Sequence, residues 1–536
     1  MRKLLLYAGV LLAASCANRV APTGGEKDVT PPKLISAEPE DHSLHFNAKT
    51  IRLKFDEYVT VNDLQNQMIV SPLTVKLPTV KTGKRELLIE VPDSLQPNTT
   101  YTVNFGKAIV DVHEANPLED FRYVFSTGDF IDSLELSGEV RDAAVMTGYK
   151  KVTVLVYRKN GQAGEDSLPF TRKPHYFART NDKGMFRISN MAEGTYYLFA
   201  VEDKNGNYFC DRPSEEPFGF YPRSIQLPGD SIVVLKAALE YPAAVRMTRM
   251  SRVDRRTVQI YFNQPDQPIE LKNFDGTALA ATRLWWNPTR DSVTVFDPEG
   301  ADSLKLLMYC RDQVFDTLQV RLIADKGAKE AVLKNRVKIV SSPQDQGPKG
   351  KLLLQSDHPL KQDTILIQLQ EDSSKVVEVP LKMMDAGKGS MAVEYPWKEN
   401  ANYRLTLPAG RLMDVFGATT DTARFSFHVP DEKSTAILSV KIEGLNGGSS
   451  YIFQLLTDKM ELLQQVNLTG DSTLLFQYLQ ARTARIRVLH DVNRDGHWTP
   501  GNYSKKVQPE PVFIFPDQLT LRANWELETV IKPVFE

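Results

Sequence analysis

Short runs of alternating or β-branched residues, broken roughly every 8–12 residues by Asp, Asn, Gly or Pro, set the fold class of this chain. Ile51-Arg-Leu-Lys-Phe55, Leu87-Leu-Ile-Glu-Val91 and Tyr101-Thr-Val-Asn-Phe105 are typical. Such runs bury one face each and pair into sandwiches. The best helical candidate is one short stretch near 324–334. With 536 residues, about four or five domains of ordinary size are expected. The expectation is therefore an all-β chain of tandem β-sandwich domains.

Self-similarity orders these units. Tyr101-Thr-Val, Ile109-Val-Asp111-Val and Tyr123-Val-Phe125 return as Tyr403-Arg-Leu, Leu412-Met-Asp414-Val and Phe425-Ser-Phe427. Gly194-Thr-Tyr-Tyr-Leu-Phe-Ala-Val runs into an Asp/Asn turn, and so does Ala484-Arg-Ile-Arg-Val-Leu-His. A pair of units near 33–240 thus recurs near 344–536. A divergent β unit lies between, and its Val258-Gln-Ile-Tyr-Phe262 echoes the Leu53 strand weakly. Short linkers predict a semi-rigid rod. The expected boundaries are 1–15 signal peptide, 16–32 lipidated Cys and tether, then units at 33–128, 129–240, 241–343, 344–430 and 431–536.

The amino terminus reads as an address. Met1-Arg2-Lys3 precedes an apolar run from Leu4 to Ala14 that is too short to span a bilayer. Ala13-Ala14-Ser15-Cys16 resembles a bacterial lipobox. The resemblance implies cleavage before Cys16, lipidation there, and a membrane partner reached through that anchor. Gly24-Gly25 and Pro31-Pro32 frame a polar tether. Loss of Arg2 and Lys3 takes the formal charge from −2 to −4. A mildly acidic body argues against nucleic acid as a partner.

The first unit resembles a bacterial Ig-like domain of the surface-layer kind. Pro31-Pro32, Leu53-Lys-Phe-Asp-Glu-Tyr-Val59, Pro97-Asn-Thr-Thr-Tyr-Thr-Val103 and Phe125-Ser-Thr-Gly128 carry that likeness. The second resembles a transthyretin-like, carboxypeptidase-regulatory sandwich through Thr180–Ile188 and Gly194–Leu198. The whole is similar to Ig-like lipoproteins of Bacteroidota, through Pro22-Thr23-Gly24-Gly25 and the terminal Gly501-Asn-Tyr and Gln508-Pro-Glu-Pro. The resemblance implies a cell-envelope, outer-membrane lipoprotein, surface-facing or periplasmic, that is not an enzyme. Its role would be structural or binding, with an unknown protein or glycan as partner. The alternatives are a periplasmic assembly subunit and, behind it, a polysaccharide-acting hydrolase.

Chemistry-bearing motifs are few. GxSxG, Walker loops, HExxH, paired CxxC and kinase signatures do not occur. Asp491, Asn493, Asp495 and Gly496 match positions 1, 3, 5 and 6 of an EF-hand-type loop, and His497 could lend its carbonyl at position 7. Position 12 is Asn502, so at most weak calcium is expected. Asp203, Asn205, Asn207 and Asp211 form a poorer match, with Tyr208 where Gly belongs. Metal-free turns are the competing reading, because Asp and Asn bond their own backbone. His490 and His497 read as solvated loop residues. Asp111 and Asp414 read as loop-capping carboxylates.

Trp285 and Trp286 are candidates for glycan stacking, against covered packing. Cys210 and Cys310 read as two free thiols or as a bridge between the second and third units. Ten Asp-Ser or Asp-Thr pairs, from Asp93 to Asp471, precede an apolar residue or Thr, where average usage gives roughly two. They resemble acceptor triplets of Bacteroidota O-glycosylation. The same triplets also make natural turn-to-strand junctions.

Overall fold

The computed structural model describes residues 27–161, 164–280, 283–297, 299–322, 335–344, 346–361 and 364–535. The expected signal peptide, Cys16, most of the expected tether and the expected helical stretch at 324–334 lie outside the described residues. No helix among the described residues is long and apolar enough to cross a membrane. The chain is all-β, and its buried apolar residues gather into tandem sandwich cores.

Alternation builds the first unit. Thr50–Phe55 turns Ile51, Leu53 and Phe55 inward and leaves Thr50, Arg52 and Lys54 exposed. It sits in a four-stranded sheet ordered Leu34–Glu38, Thr50–Phe55, Glu86–Glu90, Thr79–Thr82. A second sheet, Ile69–Ser71, Thr100–Asn104, Arg122–Ser126, closes the core from the other side. Both sheets pair antiparallel throughout.

The third unit repeats this order. Its sheets run Met247–Arg252, Thr257–Phe262, Ser292–Phe296, Leu284–Trp286 and Ile269–Asn273, Ser303–Cys310, Gln313–Arg321. The fourth unit follows the same order as one seven-stranded path, because Thr364–Glu371 and Val377–Asp385 pair and join the two halves. The Val258 strand thus holds the place in this order that the Leu53 strand holds in the first unit. Val337–Ser341, which the boundary at 343 assigned to the third unit, pairs instead with Leu352–Ser356 and opens the fourth sheet. The antiparallel register, Val337 against Ser356 through Ser341 against Leu353, decides the assignment.

The second and fifth units share another order. In each, a central strand pairs antiparallel on one side and parallel on the other. Leu134–Asp142 takes Met185–Met191 and Ile232–Ala237, and Ala436–Ile442 takes Ser472–Leu479 and Trp525–Ile531. The facing five-stranded sheets also correspond, with Gly194–Val201 and Arg482–Asp491 each pairing two short strands along one edge.

The rod expectation fails. The fifth unit folds back onto the second, against the order of the sequence. The Tyr503 ring sits among Phe170, Phe199, Phe218 and Phe220 at centroid distances of 5.0–5.8 Å. Around it, the Tyr503 N–H donates to Glu240 at 2.7 Å, Gln508 donates to the Phe220 carbonyl at 3.0 Å, and Lys506 meets Asp166 at 2.7 Å. Arg487 reaches the Ala144 carbonyl at 3.3 Å, and Met146 packs on Ile452, Leu489 and Val512. The cause is an apolar outer face on the second unit's larger sheet. Thr153–Tyr157 are buried without alternation, as are Tyr451–Thr457 in the fifth unit. Strands of that kind must be covered on both sides.

Candidate functional site

The two Asp/Asn turns leave the matching strands Gly194–Val201 and Arg482–Asp491. In the first, Asp203 accepts the N–H groups of Gly206, Asn207 and Tyr208 at 2.8–3.2 Å. Asn205 and Asn207 donate to Asp211 at 2.7–3.1 Å. All four residues singled out in the sequence therefore converge. Tyr208 takes a left-handed φ of 64° where Gly496 has 84° in the other turn. A bulky residue there costs about 1–2 kcal/mol, offset by burying its ring 4.7 Å from Phe177.

In the second turn Asp491 is buried and accepts from the N–H groups of Asp495 and Gly496 and from the Ser450 hydroxyl. Asn493 and Thr499 both donate to the Asp495 carboxylate, at 2.7 and 2.9 Å. The His497 side chain is 23% exposed, but its Nε2 is shut off from solvent. Its Nε2 lies 2.5 Å from Oδ2 of Asp266, in the third unit. His490 stacks on Tyr451 at 4.9 Å. The turns can thus gather oxygens, and their leading carboxylates also hold the loop through its own backbone N–H groups.

Two residues central to these turns were missed from sequence. Glu510 is buried and accepts the N–H groups of Val492, Asn493 and Thr499 at 2.8–3.2 Å. Glu216, also buried, accepts the Asp211 N–H at 2.8 Å. Burial pushes both carboxyls above their ordinary range, against the pull of those N–H groups. Each Glu directly precedes a proline and then a strand, Phe218–Phe220 or Val512–Ile514, and that shared Glu-Pro is the signal that could have found them.

Asp111 caps its loop as expected, with four N–H donors, His113, Glu114, Ala115 and Asn116, at 2.6–3.1 Å. Burial opposes its charge, and those donors outweigh burial and hold the carboxyl below its usual range. Replacing Asp111 with Ala leaves the donors to water and is expected to destabilise the first unit by about 2 kcal/mol in thermal melts. Asp111→Asn, which keeps one acceptor oxygen, should lose less.

Asp414 caps the matching loop through Phe416 and Ala418. It also holds His358, which the sequence reading passed over. His358 is buried, with Nδ1 2.7 Å from Asp414 and Nε2 3.0 Å from Asp254 of the third unit. Burial works against its charge, but the two carboxylates prevail and push it up to about 9. Phe296 and Phe416 pack edge-on against the ring.

Trp285 and Trp286 do not present an open platform. Trp285 is half-buried, donates to the Gly387 carbonyl across the same joint, and meets Phe296 at 4.6 Å. Trp286 stacks on Phe262, with Arg290 4.6 Å from its ring. Cys210 and Cys310 are both free, and burial pushes the Cys210 thiol far above its ordinary range. Ser292 of the triplet series is buried, whereas Ser94, Ser133, Ser167, Ser231, Ser303, Thr317, Thr364 and Thr422 are exposed. Strands begin at or just after Ser133, Ser231, Ser292, Ser303, Thr364, Thr422 and Ser472, the junction geometry expected of Asp-Ser and Asp-Thr. A groove of about 350 Å³ on the first unit carries one carboxylate, Asp93, 3.7 Å from Lys49.

No curated protein matches the chain. Among solved structures, the N-terminal part of the bacterial S-layer protein SbsC aligns at 12% identity, covering 33% of this chain and 42% of that one, with a TM-score of 0.14. Domains 1–6 of SbsC align at 10% identity over 98% and 69% of the two chains, with a TM-score of 0.14. BcpA, the major pilin subunit of Bacillus cereus, aligns at 9% identity over 75% and 99%, with a TM-score of 0.15. The chain thus spans less than half of the first of these, and scores this low describe no shared global arrangement. One part of the chain has a family match: residues 28–127 fit the bacterial Ig-like domain.

Proposed function

We propose that the chain is a non-catalytic cell-envelope protein, anchored through lipid at Cys16, whose tandem sandwiches serve a structural or binding role. One observation carries this reading. Among the described residues, the buried groups Asp111, Asp414, Asp491, Glu510 and His358 are each engaged in holding loops or joining units. Catalytic groups need access to a substrate, and these have none. The bacterial Ig-like match at 28–127 agrees with such a role. Binding would use the loops and sheet edges that remain open, to a protein or a glycan.

The contact of the fifth unit with the second favours a second reading, the periplasmic assembly subunit, because the units are not then laid end to end for reach. Protease added to intact cells separates the two. Loss of the carboxy-terminal unit from intact cells supports a surface-facing binding module. Protection in intact cells with loss after lysis selects the assembly subunit. Recovery of the chain in the cytosolic fraction would sink both.

A further inference from the structure

Asp266 belongs to the third unit, while Asp495 and His497 belong to the fifth. Their ligating atoms, two carboxylate oxygens and one imidazole nitrogen, all lie within 4.8 Å of one another. Nε2 of His497 and Oδ2 of Asp266 are 2.5 Å apart, yet neither is aligned in a hydrogen bond, and both atoms are shut off from solvent. Two such atoms pressed together call for a shared proton or for a cation beside them. Asp495 is already aimed by Asn493 and Thr499, as outer partners orient a metal ligand. Asp291 adds negative field at Asp266, and Arg290 opposes it.

We propose that Asp266, Asp495 and His497 form a divalent transition-metal site of the zinc class that ties the third unit to the fifth. The imidazole nitrogen sets the metal class, since calcium takes oxygen ligands. This donor set differs from an EF-type turn, in which His497 would offer only its backbone carbonyl. Zinc bound at about 2.0–2.2 Å places tetrahedral donors about 3.4 Å apart. Nε2 of His497 and Oδ2 of Asp495 already stand 3.5 Å apart. The Asp266 pair has to widen by about 1 Å, which one side-chain rotation supplies. Water fills the fourth position, as at three-ligand zinc sites. The metal would close the chain by bridging residues 229 or more apart in sequence.

The test uses the full chain, stripped on a chelating resin and titrated with zinc chloride by calorimetry. Cobalt(II) serves as a spectroscopic reporter of nitrogen and oxygen ligation. The expected result is one zinc per chain, bound at least ~10-fold more weakly by Asp266→Asn and by His497→Gln. Asp266→Asn keeps the backbone N–H bond to Thr289, so its turn remains formed. Circular dichroism of both variants confirms their folds. Absence of zinc binding to the wild type, or equal affinity in Asp266→Asn, would overturn the site in favour of a plain His–Asp contact.

Discussion

Tyr503→Ala is expected to release the fifth unit from the second. The ring is buried and touches four phenylalanines, and Lys506 lies 3.4 Å from its centroid. Truncating a buried aromatic costs about 3–5 kcal/mol, lost contacts and residual cavity together. The polar contacts around it, Gln508 to Phe220 and Lys506 to Asp166, are too few to hold the joint alone. Such a chain need not melt in one step, so a single Tm is the wrong readout. Small-angle scattering should show a larger radius of gyration, and calorimetry a separate early transition. Tyr503→Phe retains the ring and should match the wild type in both. An unchanged radius in Tyr503→Ala would mean that Arg487, Met146 and the His497 contact suffice.

That joint also shows how far the sequence could be read. Alternation exposes the strands of the first unit, because Ile51, Leu53 and Phe55 face one core and Arg52 and Lys54 face water. The same logic gave the loop caps at Asp111 and Asp414, where a carboxylate follows an apolar pair in both copies. The outer face of the second unit had a signal of its own. Val152-Thr-Val-Leu-Val-Tyr157 and Tyr451-Ile-Phe-Gln-Leu-Leu456 do not alternate, which predicts cover on both sides. What they cannot state is the partner. Tyr503 reads locally as one more loop aromatic, and only the return of the chain brings it to Phe218 and Phe220.

The third unit was less legible for a related reason. Its strand order is that of the first, yet few of its residues repeat, because a sandwich needs apolar positions rather than particular side chains. Sites across joints were the least legible of all. Asp254, His358 and Asp414 are separated by 104 and 56 positions, and no local spacing foretells a triad of that kind. His497 was misread because the turn around it is local while its partner, Asp266, is not.

The joint between the third and fourth units should be held by a charge and should loosen as the pH rises. His358 is pushed from 6.5 up to about 9 by Asp254 and Asp414 despite its burial. That rise corresponds to roughly 3 kcal/mol of preference for the protonated ring in the folded state. The sign follows from the folded value lying above the unfolded one. The contribution is complete below about pH 6.5, declines above it, and is gone once the pH passes about 9. On the acid side Asp254 behaves oppositely. Although burial raises it, the bonds from His358 and Arg256 hold its carboxyl below its usual value. Its contribution therefore fades as the pH falls through the carboxylate range. Denaturant titrations of wild type and His358→Gln should differ most near pH 6 and converge near pH 9. At the lower pH, His358→Ala should lose about 3–5 kcal/mol, because it leaves Asp414 buried without its cation. Pairing with a single carboxylate would raise the ring less, so Asp254→Asn should move the convergence to lower pH while Asp414 stays capped by Phe416 and Ala418. A wild-type curve flat from pH 6 to 9 would mean that the ring stays neutral between its two carboxylates.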